Sequence, residues 1–140
     1  MGFFDAVVIS EVLEHLDPDT CRRALDEIRR ILRVGGRLIG SVPFAENLDE
    51  QQVICPSCAT RFHRWGHQQA FSIDDVRRLL ASRFEVREVF ARPFIHWPTL
   101  NLAGRAMGFL KLATVRLGRH GSNESIVFVA EKPASPAAGG

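Results

Sequence analysis

Tyrosine is absent from the 140 residues, and lysine occurs only at positions 111 and 132, against sixteen arginines. Neither imbalance selects a function. The lack of any unbroken apolar stretch of about eighteen residues excludes a membrane-spanning helix. The opening MGFFDAVVISE reaches an acid too early for the apolar centre of a secretory signal, so a cytoplasmic protein is expected. Cysteine is scarce, at three residues, which is too few for a disulfide framework. Two of the three are spaced C-x-x-C beside histidines, a pattern that fits metal ligation in a reducing compartment. The net charge of +2 is too small to imply a nucleic-acid partner, and none is expected. What remains is the composition of a globular chain of single-domain size with no internal repeat.

The chain opens with FFDAVVIS, Phe3 to Ser10, an apolar run without alternation, as in a strand covered on both faces of a parallel sheet. After EVLEHL, Asp17 is a helix cap, Pro18 suits the first turn, and Asp19 favours the positive helix end. Ala24, Leu25, Ile28, Ile31 and Leu32 then recur at helical spacing, and Gly35 with Gly36 is expected to end the helix. RLIGSV, Arg37 to Val42, reads as a second strand, so the first third of the chain predicts a right-handed strand, helix, strand crossover. Further on, Ser72 caps a short helix that buries Val76, Leu79 and Leu80. FEVREVFA, Phe84 to Ala91, alternates as a strand should. A helix is predicted over 98–118, with Trp97 before it, and a final strand over Asn123 to Lys132. The tail 133–140 is expected to be disordered, and His96 and His120 to lie on the surface.

Between Pro43 and Phe71 no period of either kind is sustained, which is unusual in a compact domain unless the segment is functional or held by something else. Here lie Cys55, Cys58, His63 and His67, spaced C-x2-C-x4-H-x3-H. They are four ligands of the types that tetrahedral zinc takes. A zinc site of this size contributes about 10–16 kcal/mol, comparable to the cost of ordering about ten residues. The expectation is a zinc-binding lid over 44–71, structural because a closed four-ligand site leaves no place for water. If His67 instead faces the pocket, the fourth place opens. The bland reading is a mobile lid with free thiols and incidental histidines.

FDAVVISEVLEHL, the capped helix ending in ILRVGG, and RLIGSVP together resemble the second half of a class I S-adenosylmethionine-dependent methyltransferase. LRVGG is similar to that family's usual L-x-P-G-G, with Val34 in place of proline. The resemblance covers Phe4 to Pro43 well and the remainder by element order. It implies an α/β fold, a partial Rossmann-like sheet holding the family's fourth to seventh strands with the last pair antiparallel. It also implies that Ser10, Glu11 and Val12 line the S-adenosylmethionine pocket and that His15 approaches the substrate as a catalytic base. Against these stand ordinary readings: Glu11 and Glu14 as solvated loop acids, and His15 as a structural residue. Asp5 is expected to order the strand entrance.

The family's glycine-rich cofactor turn and its ribose-binding acid cannot be placed in this sequence. The expectation is therefore a domain over 1–132 that forms the C-terminal half of a methyltransferase, weak in cofactor binding alone. The other half would come from a missing N-terminal part or another subunit. A small-molecule or lipid-linked acceptor is expected, with the basic amphipathic segment 98–118 offering peripheral membrane contact. The rival reading is a noncatalytic zinc-binding interaction module.

Overall fold

A computed structural model describes residues 2–93, 95, 97–117 and 124–134. The expected surface histidines at 96 and 120, and most of the expected disordered tail, lie outside those residues. The chain forms β1 (Phe4–Ser10), a 3-10 turn (Leu13–His15), α1 (Pro18–Ile31), β2 (Leu32–Pro43), β3 (Gln52–Ile54) and β4 (Arg61–His63). These are followed by α2 (Ile73–Ala81), β5 (Glu85–Pro93), a second 3-10 turn (Trp97–Thr99), α3 (Leu102–Arg116) and β6 (Glu124–Glu131). No helix among the described residues is long and apolar enough to cross a membrane.

Four strands form one mixed sheet in the order β1-β2-β6-β5, with β1 parallel to β2 and β6 antiparallel to both of its neighbours. The parallel pair follows from the α1 crossover, and the antiparallel hairpin-like pair closes the other edge. β1 is the outer strand on its side among the described residues, and Val8 is 70% exposed there.

The helix ends are set by side-chain chemistry at the expected places. Asp17 accepts from the backbone N–H groups of Asp19 and Thr20, each at 3.0 Å, with Pro18 in the first turn. Ser72 and Asp75 form a reciprocal capping box at the start of α2. Asp5 pairs with Arg33, tying the start of β1 to β2. The glycine pair departs from expectation, because α1 ends at Ile31 and Gly35 and Gly36 lie within β2. Phe4 aligns with Leu32 while Ala6 aligns with Arg37, so the extra residues of β2 bulge outward. Gly35 supplies the positive φ of 75° that this bulge requires. Sheet pairing outweighs the helix-stop pattern there. The helix predicted over 98–118 is likewise shorter in the described residues, because Asn101 caps it by accepting from the Gly104 N–H at 2.8 Å.

One sheet face carries the core. Leu38, Gly40 and Val42 on β2 stand opposite Ala130, Phe128 and Ile126 on β6, alternate residues of each strand that all point to the same side. Cys21 and Leu25 of α1 and Val76 and Leu80 of α2 cover them, and Arg83 grips Asp26 to tie the end of α2 to α1. α3 lies along β5 and leaves Leu102, Met107, Phe109 and Leu110 exposed.

The segment between β2 and α2 is folded back as a loop pinched at its base, where Phe44 bridges Phe71 and the Ala45 N–H donates to the Phe71 carbonyl at 2.8 Å. Inside it β3 and β4 form a small hairpin of their own.

Candidate functional site

Two places at the carboxyl end of β1 gather polar side chains. The first is a cavity of about 570 Å³ bordered by Ser10, Glu11, Ser41, Arg92 and Ser125, with Ile95, Leu112 and Val127 as its apolar part. Parallel strands end here, the region where open α/β sheets bind ligands. Glu11 leaves β1 with φ of 53°, a left-handed conformation that costs a non-glycine residue energy, and its N–H donates to the Ser41 carbonyl at 2.9 Å. Ser41 donates its hydroxyl to the Glu11 carboxylate at 2.8 Å. That proton is then committed, so the 2.9 Å contact between Ser10 and Ser41 is a donation from Ser10. The result is a relay of Ser10, Ser41 and Glu11 across two neighbouring strands.

Ser10 and Glu11 thus meet at this cavity, whereas Val12 and His15 do not border it. His15 turns toward a second cluster. Its ring meets that of His67 edge-on, with centroids 4.8 Å apart, and its Nε2 lies 3.8 Å from Glu14 Oε1. Glu14 corrects one reading from the sequence, since it is no solvated loop acid. Its residue is 0% exposed, and neither carboxylate oxygen has a hydrogen-bond partner. Burial pushes its carboxyl above the usual range, and nearby Glu11 pushes in the same direction.

The backbone explains how the distant parts meet. Amides of Gln68 and Gln69 donate to the Glu14 carbonyl at 2.7 and 3.2 Å, and their side chains donate to the carbonyls of His15 and Leu16. The loop after β4 is thereby clamped onto the 3-10 turn after β1. His67 bonds through Nδ1 to Glu46 Oε2, and its ring stacks on that of His63 at 4.7 Å. Sequence reasoning missed Glu46, Gln68 and Gln69. All three lie in the segment without periodicity, where only tertiary contact gives a residue its partner.

The expected four-ligand set is not gathered about one point. His63 and His67 are adjacent, and Cys55 lies near Cys58, but neither thiol joins a group of three mutually close ligand atoms among the described residues. The hairpin register keeps them apart. His63 pairs with Gln52 at the base of the β3–β4 hairpin, whereas Cys55 follows the end of β3 and its N–H donates to the Thr60 carbonyl at 2.9 Å, near the tip. Cys58 is exposed at the hairpin tip, where hydrogen bonding to Thr60 lowers its thiol below the usual range.

Residues 1–40 match the family model described as a methyltransferase domain. No curated protein matches the sequence. Among solved structures, an S-adenosylmethionine-dependent methyltransferase from Methanosarcina mazei matches with a TM-score of 0.59 at 17% identity, over 94% of this chain and 60% of that one. The 1,6-didemethyltoxoflavin-N1-methyltransferase of Burkholderia thailandensis, with bound 1,6-didemethyltoxoflavin and S-adenosylhomocysteine, matches at 0.56 and 18% identity, over 92% and 44%. The N-methyltransferase NodS of Bradyrhizobium japonicum, in complex with S-adenosylhomocysteine, matches at 0.50 and 18%, over 94% and 47%. The chain thus spans about half the length of solved structures that it matches. It has the fold of the class I S-adenosylmethionine-dependent methyltransferases, and its first forty residues match the sequence model of a methyltransferase domain.

Proposed function

We propose that this chain takes part in S-adenosylmethionine-dependent methyl transfer to a lipid-linked acceptor and supplies one side of the cofactor pocket. The observation that carries the reading is the Ser10, Ser41 and Glu11 relay, set at the ends of two parallel strands on the wall of an open cavity. The residues fit the cofactor on that side, since the relay presents hydroxyl and carboxylate oxygens, while Arg92 and Ser125 add polar groups and Ile95, Leu112 and Val127 supply apolar surface. When bound, S-adenosylmethionine supplies an electrophilic methyl group. The chain's own part is to orient. Ser41 holds Glu11 in a strained turn, and Glu11 keeps a carboxylate at the pocket mouth that attracts a cationic ligand and accepts hydrogen bonds.

The exposed outer edge of β1 supports a further part of the reading, that a strand bearing the glycine-rich turn seats there, from the same protein or from a partner. Without that strand the cofactor should bind weakly. The acceptor class is favoured by a second, apolar cavity of about 520 Å³ beside α3. Its lining shares Ile95 with the first cavity and includes Leu100, Met107 and Leu110. An apolar groove opening beside a polar reaction site suits an acceptor with a hydrocarbon tail, and the exposed apolar residues of α3 suit contact with a membrane surface. A noncatalytic interaction module would leave the strand-end cavity without a role.

Nuclear magnetic resonance of the chain titrated with S-adenosylhomocysteine tests the pocket. Weak binding should move the amides of Ser10, Glu11 and Ser41, and Ser41→Ala should reduce those shifts. Shifts confined to other regions, or none at saturating ligand, would refute the assignment. A medium-chain acyl compound added to the same sample should move the Met107 and Leu110 methyl signals.

A further inference from the structure

Glu14 raises a question that the methyl-transfer reading leaves unanswered. A carboxylate enclosed by protein with both oxygens unbonded is among the costliest arrangements a fold can hold, unless a proton or a bound cation neutralises it. The groups beside it are of the kind that bind cations. A carboxylate oxygen of Glu14, a ring nitrogen of His15 and a ring nitrogen of His67 lie within 4.8 Å of one another. For comparison, ligands at tetrahedral zinc distances stand about 3.4 Å apart, and His15 Nε2 already lies 3.8 Å from Glu14 Oε1.

The hydrogen bonds around half-buried His67 and buried His63 assign their tautomers. His67 Nδ1 faces the Glu46 carboxylate, so that nitrogen carries the proton and Nε2 keeps its lone pair. A carboxylate behind a histidine is the arrangement that orients a metal-binding imidazole and raises its basicity. His63 is arranged the other way. Its Nδ1 accepts from the backbone N–H groups of Trp65 at 3.3 Å and His67 at 3.1 Å, which leaves the proton on Nε2, 3.5 Å from Glu46 Oε1. His63 is therefore placed to support Glu46.

We propose that Glu14, His15 and His67 form a site for a divalent transition-metal ion of the zinc class, with Glu46 as the carboxylate that orients His67 and His63 behind it. Two nitrogens and one oxygen are a donor set that zinc accepts, and three protein ligands leave a fourth position for water. That position opens beside His15, whose side chain is 41% exposed. The ion would join the turn after β1 to the loop after β4, reinforcing the clamp that Gln68 and Gln69 already make. Cys55 and Cys58 take no part. The proposal does not depend on cofactor binding.

The test is titration of the metal-free chain with Zn²⁺ against a chromophoric chelator, together with the absorption spectrum of the Co²⁺ form. One equivalent should bind, and the Cys55→Ser, Cys58→Ser double variant should bind it equally well. Glu46→Gln should lower affinity by about 10–100-fold, the range for a supporting carboxylate, and His67→Gln and Glu14→Gln by at least that much. Glu14→Gln keeps the shape and removes the buried charge. Without metal it should unfold at a higher temperature than the parent, and it should lose the rise in midpoint that Zn²⁺ gives the parent. The proposal is overturned by a sulfur-to-cobalt charge-transfer band, by loss of binding in the cysteine variant, or by no binding in the parent chain.

Discussion

Replacing Gly40 by alanine should unsettle both the core and the wall of the strand-end cavity, because Gly40 sits between them. A Cβ at that position would stand 2.4 Å from Phe128 Cζ and 2.6 Å from the Ile9 carbonyl oxygen. Both distances are well inside van der Waals contact. Phe128 is fully buried and cannot swing away, and the Ile9 carbonyl belongs to the β1 backbone that pairs with β2. Overpacking of this kind costs about 1–3 kcal/mol, and with two immovable neighbours about 2–3 kcal/mol is expected. At about 4 °C per kcal/mol for a chain of this size, the thermal midpoint should fall by about 8–12 °C. Ser41 follows directly in sequence, so the Ser10, Ser41 and Glu11 relay should be displaced with it. Circular dichroism melts of Gly40→Ala, Phe128→Leu and the double variant check the reasoning as a double-mutant cycle. Shortening the ring removes one of the two clashes, so the double variant should lose less than the sum of the singles by about 1 kcal/mol. A melting point for Gly40→Ala within about 1 °C of the parent, or strict additivity, would mean that Gly40 does not face Phe128 and that the β2–β6 register is wrong.

Leu25→Ala empties a fully buried position on α1 and should cost about 2–5 kcal/mol, measured by urea unfolding. Ser72→Ala removes the hydroxyl that accepts the Asp75 N–H and should cost about 1 kcal/mol by the same assay. The Ser72 hydroxyl and N–H, with Arg78 beyond them, hold the Asp75 carboxyl below its ordinary value of 3.8. A depressed carboxyl stabilises the fold above that ordinary value and loses its contribution as the pH falls through the lower folded value, so the penalty of Ser72→Ala should shrink between pH 7 and pH 3. Iodoacetamide should label Cys58 first, because it is exposed and its thiol is lowered by hydrogen bonding to Thr60. Buried Cys21, whose thiol burial raises, should react last, and mass spectrometry reads the order. Labelling of Cys21 at a rate matching Cys58 would show that α1 is not packed as described.

Much of the fold could be read where one residue's local chemistry decides. Asp17 and Ser72 announce helix starts because a side-chain oxygen three residues or fewer from an unpaired N–H needs no tertiary partner. The apolar run of β1 and the alternation of β5 are likewise visible in the sequence. The glycine pair at 35 and 36 was misleading for a physical reason. Glycine is suited equally to a helix end and to a strand bulge, and the choice rests on where Phe4 and Ala6 find partners. In the same way, C-x2-C-x4-H-x3-H is a statement about spacing along the chain, and a hairpin that holds His63 at its base and Cys55 near its tip separates them.

By itself the sequence determined the main elements outside the 44–71 segment, their order, the strand, helix, strand crossover, and the presence of Ser10 and Glu11 at a strand end. These depend on contacts within a few residues or on periodic burial, both written into the linear order. Only the tertiary structure decided that Ser41 joins Ser10 and Glu11, that Glu14 is buried without a partner, and that His67 turns to Glu46 and His15. Those meetings join positions about twenty to more than fifty residues apart, brought together by strand register and by the Gln68 and Gln69 clamp, and no local preference encodes such distances.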